Sequence, residues 1–221
     1  MTGAIDAQAR HPGLRERKKQ LTREHIAQTA RALFGERGFE HVTIAEIARA
    51  ADVSVQTVFN YFPTKEDLVY WRLGSFEDEL LATIRERAPG ESALVAFGRF
   101  MRTPRGLLAK QDPEAREQLA AITRMIAQSP ALLAREQQIF ERYTASLAAL
   151  LAEETGAHAD DVTPRVAATA MMGVHRALLD YSRRRIVAGA KHARLAREVA
   201  AQADAALALL EAGLVAYAIK A

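Results

Sequence analysis

Apolar positions recur every three or four residues along nearly the whole chain, and no segment shows the sustained alternation that is typical of a strand. The first such segment follows Thr22, which can cap a helix whose apolar positions include Ile26, Ala30 and Phe34. Gly38 is placed to end this helix. No repeat of about twenty to fifty residues is present, so the pattern predicts an all-α protein without an internal repeat.

Two very short helices are predicted next. Thr43 and Glu46 have the spacing of a capping box for the first, and Ser54 can cap the second, which Pro63 ends. The side chains of the second helix divide into two faces by helical spacing. The apolar face holds Val55, Val58, Phe59 and Phe62. The polar face holds Gln56, Thr57, Asn60 and Tyr61.

A longer fourth helix is predicted to begin at a cap formed by Thr64 and Asp67 and to continue to about residue 88, before Pro89 and Gly90. Further helices are predicted near residues 91–102, 113–128, 130–154, 162–187 and 192–219. The last two are long and rich in alanine, which favours close packing over a wide cavity.

The composition is that of a globular protein. With 221 residues, of which 49% are hydrophobic, the chain can bury a large core as one subdivided domain or as two domains. A formal charge of +3 permits binding to nucleic acid without requiring it. Cysteine is absent, which excludes disulfides and thiol chemistry. The sequence shows no apolar run of signal-peptide or membrane-span length, so we expect a cytoplasmic protein without membrane partners.

Two short helices joined by AADV match a helix-turn-helix, in which the second helix lies in the major groove of DNA. Polarity alone fits an ordinary exposed helix as well, and that case is the commoner one. The motifs LFGERGF, TIAEIARAADVS and YFPTKEDL, however, occur in this order between residue 20 and about residue 68. This region resembles the DNA-binding domain of TetR-family transcriptional regulators.

The resemblance implies roles for residues of the helix-turn-helix. Gln56 and Asn60 fall where family members vary and read bases, and their amides suit base edges. Positions at which the family touches phosphates are held by Thr43, Thr57, Tyr61 and Lys65. The remaining candidate DNA-binding residues are Ser54 and Phe59.

Two positions depart from the family pattern. Asp52 stands at a turn position that is often glycine, and we expect it to adopt the left-handed conformation. Phe59 replaces a usual tyrosine, which removes a phosphate hydrogen bond. Packing in the core is the favoured role for its ring, and contact with a thymine methyl group is the alternative.

A basic arm is predicted over residues 1–19, ahead of a DNA-binding domain over residues 20–68. It can enter a minor groove or neutralise phosphates, and the alternative is a solvated tail. The basic residues in and just after the arm are Arg10, Arg15, Arg17, Lys18, Lys19 and Arg23.

The resemblance implies that residues 69–221 form a helical domain that binds a small effector and dimerises through its last two helices. Apolar stripes on these helices fit a four-helix interface, and packing inside one monomer is the alternative. The candidate interface residues are Val166, Ala170, Val174, Leu178, Tyr181, Leu207, Leu210 and Leu214.

Candidate effector-binding residues combine methionines with aromatic rings. Such residues can accommodate an apolar ligand, although they fill protein cores more often. The set is Phe97, Phe100, Met101, Met125, Phe140, Tyr143, Met171, Met172 and His175. His175 is the sharpest polar candidate, since it lies one turn beyond Met171 on an otherwise apolar helix.

We therefore expect a repressor that binds a palindromic operator in double-stranded DNA as a homodimer and is released by a small, largely apolar effector. The alternatives are a transcriptional activator and an effector-independent DNA-binding protein. An enzyme is not expected, because the sequence has no Gly-rich phosphate loop, HExxH helix or nucleophile elbow. No cofactor or metal is expected, since His158, His175 and His192 are too scattered to specify a metal site.

Overall fold

The computed structural model describes residues 14–71, 74–105, 109, 113–214 and 219. The chain divides into two compact units, Met1–Trp71 and Arg72–Ala221. The described residues form helices α1 to α10 and no strand, which confirms the all-α prediction. The first unit contains α1 (Leu14–Arg37), α2 (Ile44–Ala50), α3 (Val55–Tyr61) and α4 (Asp67–Tyr70). The second contains α5 (Gly74–Arg85), α6 (Ala93–Arg102), α7 (Pro113–Gln128), α8 (Pro130–Thr155), α9 (Thr163–Val187) and α10 (His192–Leu214).

Helix α1 begins at Leu14, so the prediction that Thr22 caps it is wrong. Thr22 lies inside the helix, where its hydroxyl donates to the Lys18 carbonyl oxygen at 3.0 Å. The predicted arm is therefore helical from Leu14 onward, and its N-terminal part, including Arg10, lies outside the described residues. Periodicity missed this extension because its charged residues favour helix but bury no apolar stripe. The exposed basic residues of the extension are Arg15, Arg17, Lys18 and Lys19.

Two backbone positions with positive φ set the turns of the first unit. Gly38 follows α1 with φ 81°, as predicted for a helix end. The rings of Phe34 and Phe39 then pack with centroids 5.1 Å apart. Asp52, between α2 and α3, has φ 53°, which confirms its expected left-handed conformation.

The caps predicted for α2 and α3 are both present. Glu46 N donates to Thr43 Oγ1 at 3.3 Å, and Thr43 N donates to Glu46 Oε2 at 2.8 Å, which completes the capping box. Ser54 Oγ accepts the Thr57 N–H at 2.9 Å. The helices enclose a small core of fully buried side chains. It includes Ile26, Ala27, Ala30, Ile47, Val58 and Phe62.

The predicted fourth helix is represented by two described helices rather than one. Thr64 N donates to Asp67 Oδ2 at 3.1 Å, and Asp67 N donates to Thr64 Oγ1 at 3.3 Å, so the expected local bonds form. Helix α4 nevertheless ends at Tyr70, and α5 begins at Gly74 and ends at Arg85. Residues 72–73 lie outside the described part, and a continuous helix to about residue 88 is not confirmed.

In the second unit, α9 packs against α8, α10 and α7, and α6 packs against α10. Helices α6 to α9 agree with the predicted ranges to within about two residues, which is the usual boundary error. Helix α10 is described to Leu214, short of the predicted residue 219. Ile219 instead forms an isolated antiparallel bridge with Ser92. No helix among the described residues is both long and apolar enough to cross a membrane.

The left-handed Asp52 gives a stability prediction. Asp52→Gly should leave the free energy of unfolding unchanged or slightly higher, because glycine adopts this conformation without steric penalty. Asp52→Val should lower it by about 1–2 kcal/mol, since a β-branched residue is strained there. Thermal and denaturant unfolding would measure both, and a Val variant as stable as the Gly variant would contradict the assigned conformation.

Candidate functional site

Helix α3, called the reading helix below, rests on the core along one narrow edge. Val58 and Phe62 are fully buried, whereas Val55 is 41% exposed and Phe59 is 44% exposed. The prediction that all four form a buried face is therefore wrong for Val55 and Phe59, and core packing is not the role of the Phe59 ring. A helix of seven residues contacts its neighbours along a single i, i+4 line, and periodicity does not reveal the width of that contact.

Gln56 and Asn60 lie exposed on the reading helix and hydrogen-bond to each other. Gln56 Nε2 donates to Asn60 Oδ1 at 3.1 Å. The Gln56–Asn60 hydrogen bond leaves the Gln56 carbonyl oxygen and N–H groups of both amides available for other partners. The two side chains therefore present a joined set of donors and acceptors, which is what bidentate contact with a base edge requires.

Thr43 and Thr57, predicted to contact phosphates, lie at the beginnings of α2 and α3, and the DNA-binding candidate Ser54 caps α3. Ser54 Oγ and Thr57 Oγ1 are 2.7 Å apart and share a hydrogen bond. Thr43 Oγ1 donates to Glu46 Oε2 at 2.8 Å. Hydrogen bonds from Thr43 and Arg37 lower the pKa of Glu46 to about 2, so this carboxylate is charged at neutral pH. Arg37 balances that charge with an ion pair of 2.7 Å.

Aromatic rings of the core hold two cations of the first unit. The Lys65 ammonium lies 4.2 Å from the Phe39 ring centroid, so a cation–π contact holds its position. The Arg23 guanidinium lies 5.5 Å from the Phe62 ring centroid. Arg23 therefore belongs to the packed core of this unit rather than to a mobile arm. Tyr61, the remaining phosphate candidate, is half-buried.

In the second unit, five rings from four helices form one cluster, called the ring cluster below. Its members are Phe76, Phe100, Phe140, Tyr143 and His175. His175 stacks on Phe76 at 4.4 Å and on Phe140 at 5.1 Å between centroids. Phe76 also stacks on Tyr143 at 5.3 Å and meets the edge of Phe100 at 5.3 Å. The structure thus brings together four of the nine effector-binding candidates.

The other effector-binding candidates are not among these ring contacts. Phe97, Met171 and Met172 are buried core side chains, whereas Met101 and Met125 are half-buried. Phe76, which sequence reasoning missed as a site residue, occupies the centre of the ring cluster. In the sequence, Phe76 is one of several apolar positions of a predicted helix, and nothing in the neighbouring residues marks it as a site residue.

Charged groups surround the ring cluster. Burial, followed by the positive charges of Arg105 and Arg183, lowers the pKa of His175 to about 4, so its imidazole is neutral at neutral pH. The Arg105 guanidinium lies 3.4 Å from the Phe100 ring centroid. Arg183 donates to both oxygens of the buried Glu136, one of them at 2.7 Å. Sequence reasoning missed this ion pair because its partners lie far apart in the chain.

The candidate interface residues divide by burial. Leu207 is 2% exposed, and Val174 and Leu178 are also buried within the chain. A Cβ atom added at Gly98 of α6 would meet the Leu207 side chain at 3.1 Å, which shows how closely α6 and α10 approach. The side chains of these three residues therefore pack inside the protomer, and their contact with a partner stays a prediction.

The other candidates on α9 and α10 are more accessible. Val166 is exposed, Ala170, Tyr181 and Leu210 are half-buried, and the side chain of Leu214 lies outside the described residues. Two exposed apolar side chains that sequence reasoning did not select also lie on these helices. They are Val187 and Leu209, the latter 82% exposed, and the exposed Val162 lies just before α9.

The stacked His175 predicts a specific pH dependence of stability. Its pKa of about 4 in the folded protein lies below the ordinary 6.5, so the unfolded chain binds more protons between these values. The contribution of neutral His175 to the free energy of unfolding should therefore be fully present above pH about 6.5. It should fall as the pH decreases toward about 4. Denaturant unfolding at pH 7 and pH 5 should show a smaller loss for His175→Phe than for the wild type.

The matched control for this measurement is the exposed His158. His158→Phe should keep the wild-type pH dependence. An equal loss of unfolding free energy in His175→Phe and the wild type would contradict a neutral imidazole in the ring cluster.

Comparison with known proteins identifies the family that carries these features. Residues 26–70 match the family described as bacterial regulatory proteins, tetR family, and residues 100–215 match the MftR C-terminal domain. The chain is 31% identical over 152 residues to the HTH-type transcriptional regulator TcmR of Streptomyces glaucescens, which covers 68% of this chain and 67% of that relative.

Two further relatives agree. The chain is 27% identical over 165 residues to a Mycobacterium tuberculosis H37Rv protein provisionally named the mycofactocin biosynthesis transcriptional regulator MftR, covering 72% of this chain and 78% of that protein. A solved TetR-family regulator from Syntrophomonas wolfei has the same fold, with TM-score 0.52 and 20% identity over 86% of this chain and 96% of that one. This chain therefore belongs to the TetR family and is a DNA-binding transcriptional regulator, not an enzyme.

Proposed function

We propose that this regulator is a repressor that binds a palindromic operator as a homodimer and is released by a small effector bound at the ring cluster. The observation that carries the proposal is the combination, within one helical domain, of five contacting rings with a neutral histidine and an ion pair between Arg183 and the buried Glu136. A domain needed only for dimerisation has no use for buried polar groups, which stabilise a core less than apolar packing does.

On the operator, the two kinds of contact are assigned to different residues. Gln56 and Asn60 read base edges, because their amides are exposed and joined. Phosphates are contacted by the hydroxyls of the helix starts, by the Tyr61 hydroxyl at the end of α3 and by the ammonium held on Phe39. The residues of this second group are Thr43, Ser54, Thr57, Tyr61 and Lys65. They set the position of the reading helix without selecting a sequence.

The ring cluster suits an effector that is largely apolar and carries a negative charge. The flat faces of Phe76, Phe140 and His175 favour a planar apolar group. Arg105 and Arg183 lie near the cluster, and each pairs with a carboxylate, Glu79 at 3.3 Å and Glu136, so a bound anion would compete for these guanidinium groups. A neutral imidazole can accept or donate a hydrogen bond to the bound molecule.

A dimer built by α9 and α10 supplies two reading helices with a fixed separation. The exposed apolar side chains Val166 and Leu209 support this interface, since they lie on those two helices and are 59% and 82% exposed. A palindromic operator has half-sites about 34–36 Å apart, or a multiple of one helical turn. Only a rigid pair of protomers meets that spacing.

Two alternatives remain distinct from this proposal. An activator would bind the same operator in the same way, and the position of the operator relative to the promoter would decide between the two roles. An effector-independent DNA-binding protein would bind no small molecule at the ring cluster.

The dimer is tested by two substitutions on the same helix. Leu209→Glu should dissociate the protomers, because it places an unpaired charge in the proposed apolar interface, and operator affinity should fall with it. Leu207→Ala should instead lower the stability of the protomer by about 2–5 kcal/mol, since it opens a cavity against α6. Sedimentation measurements at several concentrations would separate the two effects.

The control for the dimer test is Val95→Glu, an equally charged change at an exposed apolar residue of α6. It should leave the association constant unchanged. A Leu209→Glu variant that sediments as an intact dimer would contradict the placement of the interface on this face of α10.

Release by an effector is tested through reciprocal coupling. Small planar anions are first screened by thermal shift, and a specific ligand should lose its shift in His175→Ala but keep it in Leu133→Ala, an exposed control. The ligand is then titrated with and without operator DNA, using fluorescence of Trp71, the chain's single tryptophan. The two affinities should differ by about 5- to 150-fold, the ordinary range for coupled sites. Equal affinities would contradict release by this ligand.

A further inference from the structure

The reading helix carries an apolar patch that is not buried in the core of the protein. Val55 is 41% exposed and Phe59 is 44% exposed, while the anchoring side chains Val58 and Phe62 are fully buried. Large apolar side chains on a helix of this kind usually face the core, so two of them at i and i+4 on the solvent side form a defined surface. This patch needs a partner other than the described core.

The patch lies directly beside the amide pair. Four side chains lie next to one another on one side of the helix: Val55, Gln56, Phe59 and Asn60. Their sequence spacings of one, three and four residues place them on two adjacent rows along the helix surface. The exposed surface of the reading helix is therefore half apolar and half amide. Any base pairs that contact this helix therefore meet both the apolar half and the amide half of its exposed surface.

The chemistry of the two halves agrees on one type of base pair. A joined pair of amide groups matches the N7 acceptor and N6 donor of adenine. The feature of the major groove that an apolar side chain can recognise is the C5 methyl group of thymine, which lies on the partner of adenine. A·T pairs satisfy both halves, whereas G·C pairs offer no methyl group to the apolar half.

We infer that Phe59, together with Val55, recognises thymine methyl groups in the operator and makes this regulator specific for A·T pairs beside those read by Gln56 and Asn60. Phe59 stands where the family usually has a tyrosine whose hydroxyl contacts phosphate. In this chain the residue would therefore help to select the DNA sequence instead of fixing how the protein docks on the backbone. The inference uses the DNA-binding function that the family establishes and does not depend on an effector.

The test removes the methyl group and nothing else. Operators are first selected from random duplexes with the wild-type chain, and each thymine is then replaced in turn by deoxyuridine, which pairs identically and lacks only the C5 methyl group. At one or more positions the wild-type affinity should fall about fourfold per contacted methyl group, the effect of exposing one buried carbon. Phe59→Ala should bind the thymine and deoxyuridine duplexes equally, and Val55→Ala should show a reduced difference.

Two variants control for the other contacts. Lys65→Ala should weaken binding to both duplexes by the same factor, because a phosphate contact does not sense the methyl group. Phe59→Leu should keep part of the methyl sensitivity, since it preserves an apolar contact. The Val55 and Phe59 variants should retain the wild-type melting temperature, because these two side chains are 41% and 44% exposed.

Three results would overturn the inference. The first is a wild-type affinity that is indifferent to deoxyuridine at every position. The second is a Phe59→Ala variant that retains the full methyl sensitivity. The third is a selection that enriches no sequence, which would exclude base readout by the reading helix as a whole.

Discussion

The DNA-reading surface depends on the anchoring of a helix that is too short to form alone. Helices α2 and α3 have seven residues each, and isolated helices of fewer than about 12 residues are not stable in water. The reading helix exists because Ser54 caps its first turn and because Val58 and Phe62 are fully buried. Arg23 covers the Phe62 ring, so α1 contributes to the same anchor.

This anchor also determines what the helix presents. Since Val58 and Phe62 lie on one i, i+4 line, their burial fixes the rotation of the helix about its own axis. Gln56, Asn60, Val55 and Phe59 then face outward together. A change of anchor would rotate both halves of the reading surface, so the proposed base readout rests on core packing as much as on the contacting side chains.

Local chemistry explains which features the sequence could predict. The capping box of Thr43 and Glu46 and the left-handed Asp52 depend on residues close together in the chain, and both are confirmed. The features missed depend on tertiary neighbours instead. The exposure of Phe59 follows from the width of the core contact, the burial of Leu207 follows from the approach of α6, and the start of α1 lies in a polar segment with no apolar stripe.

The polar groups of the second unit stabilise its core less than apolar packing would, which agrees with the proposed binding role. Replacing a buried ion pair such as Glu136–Arg183 with apolar side chains of similar volume is often neutral or stabilising, so the pair is weak evidence for a structural role. The same holds for His175, whose pKa of about 4 reflects an environment that disfavours its charged form. Removing either Glu136 or Arg183 would leave the charge of the other without a partner in an apolar setting. An anion near the ring cluster would interact with Arg105 and Arg183 under weak solvent screening. Such an arrangement makes the energy of the ring cluster sensitive to what occupies it, and that sensitivity is the physical requirement for an effector to change the conformation of the domain.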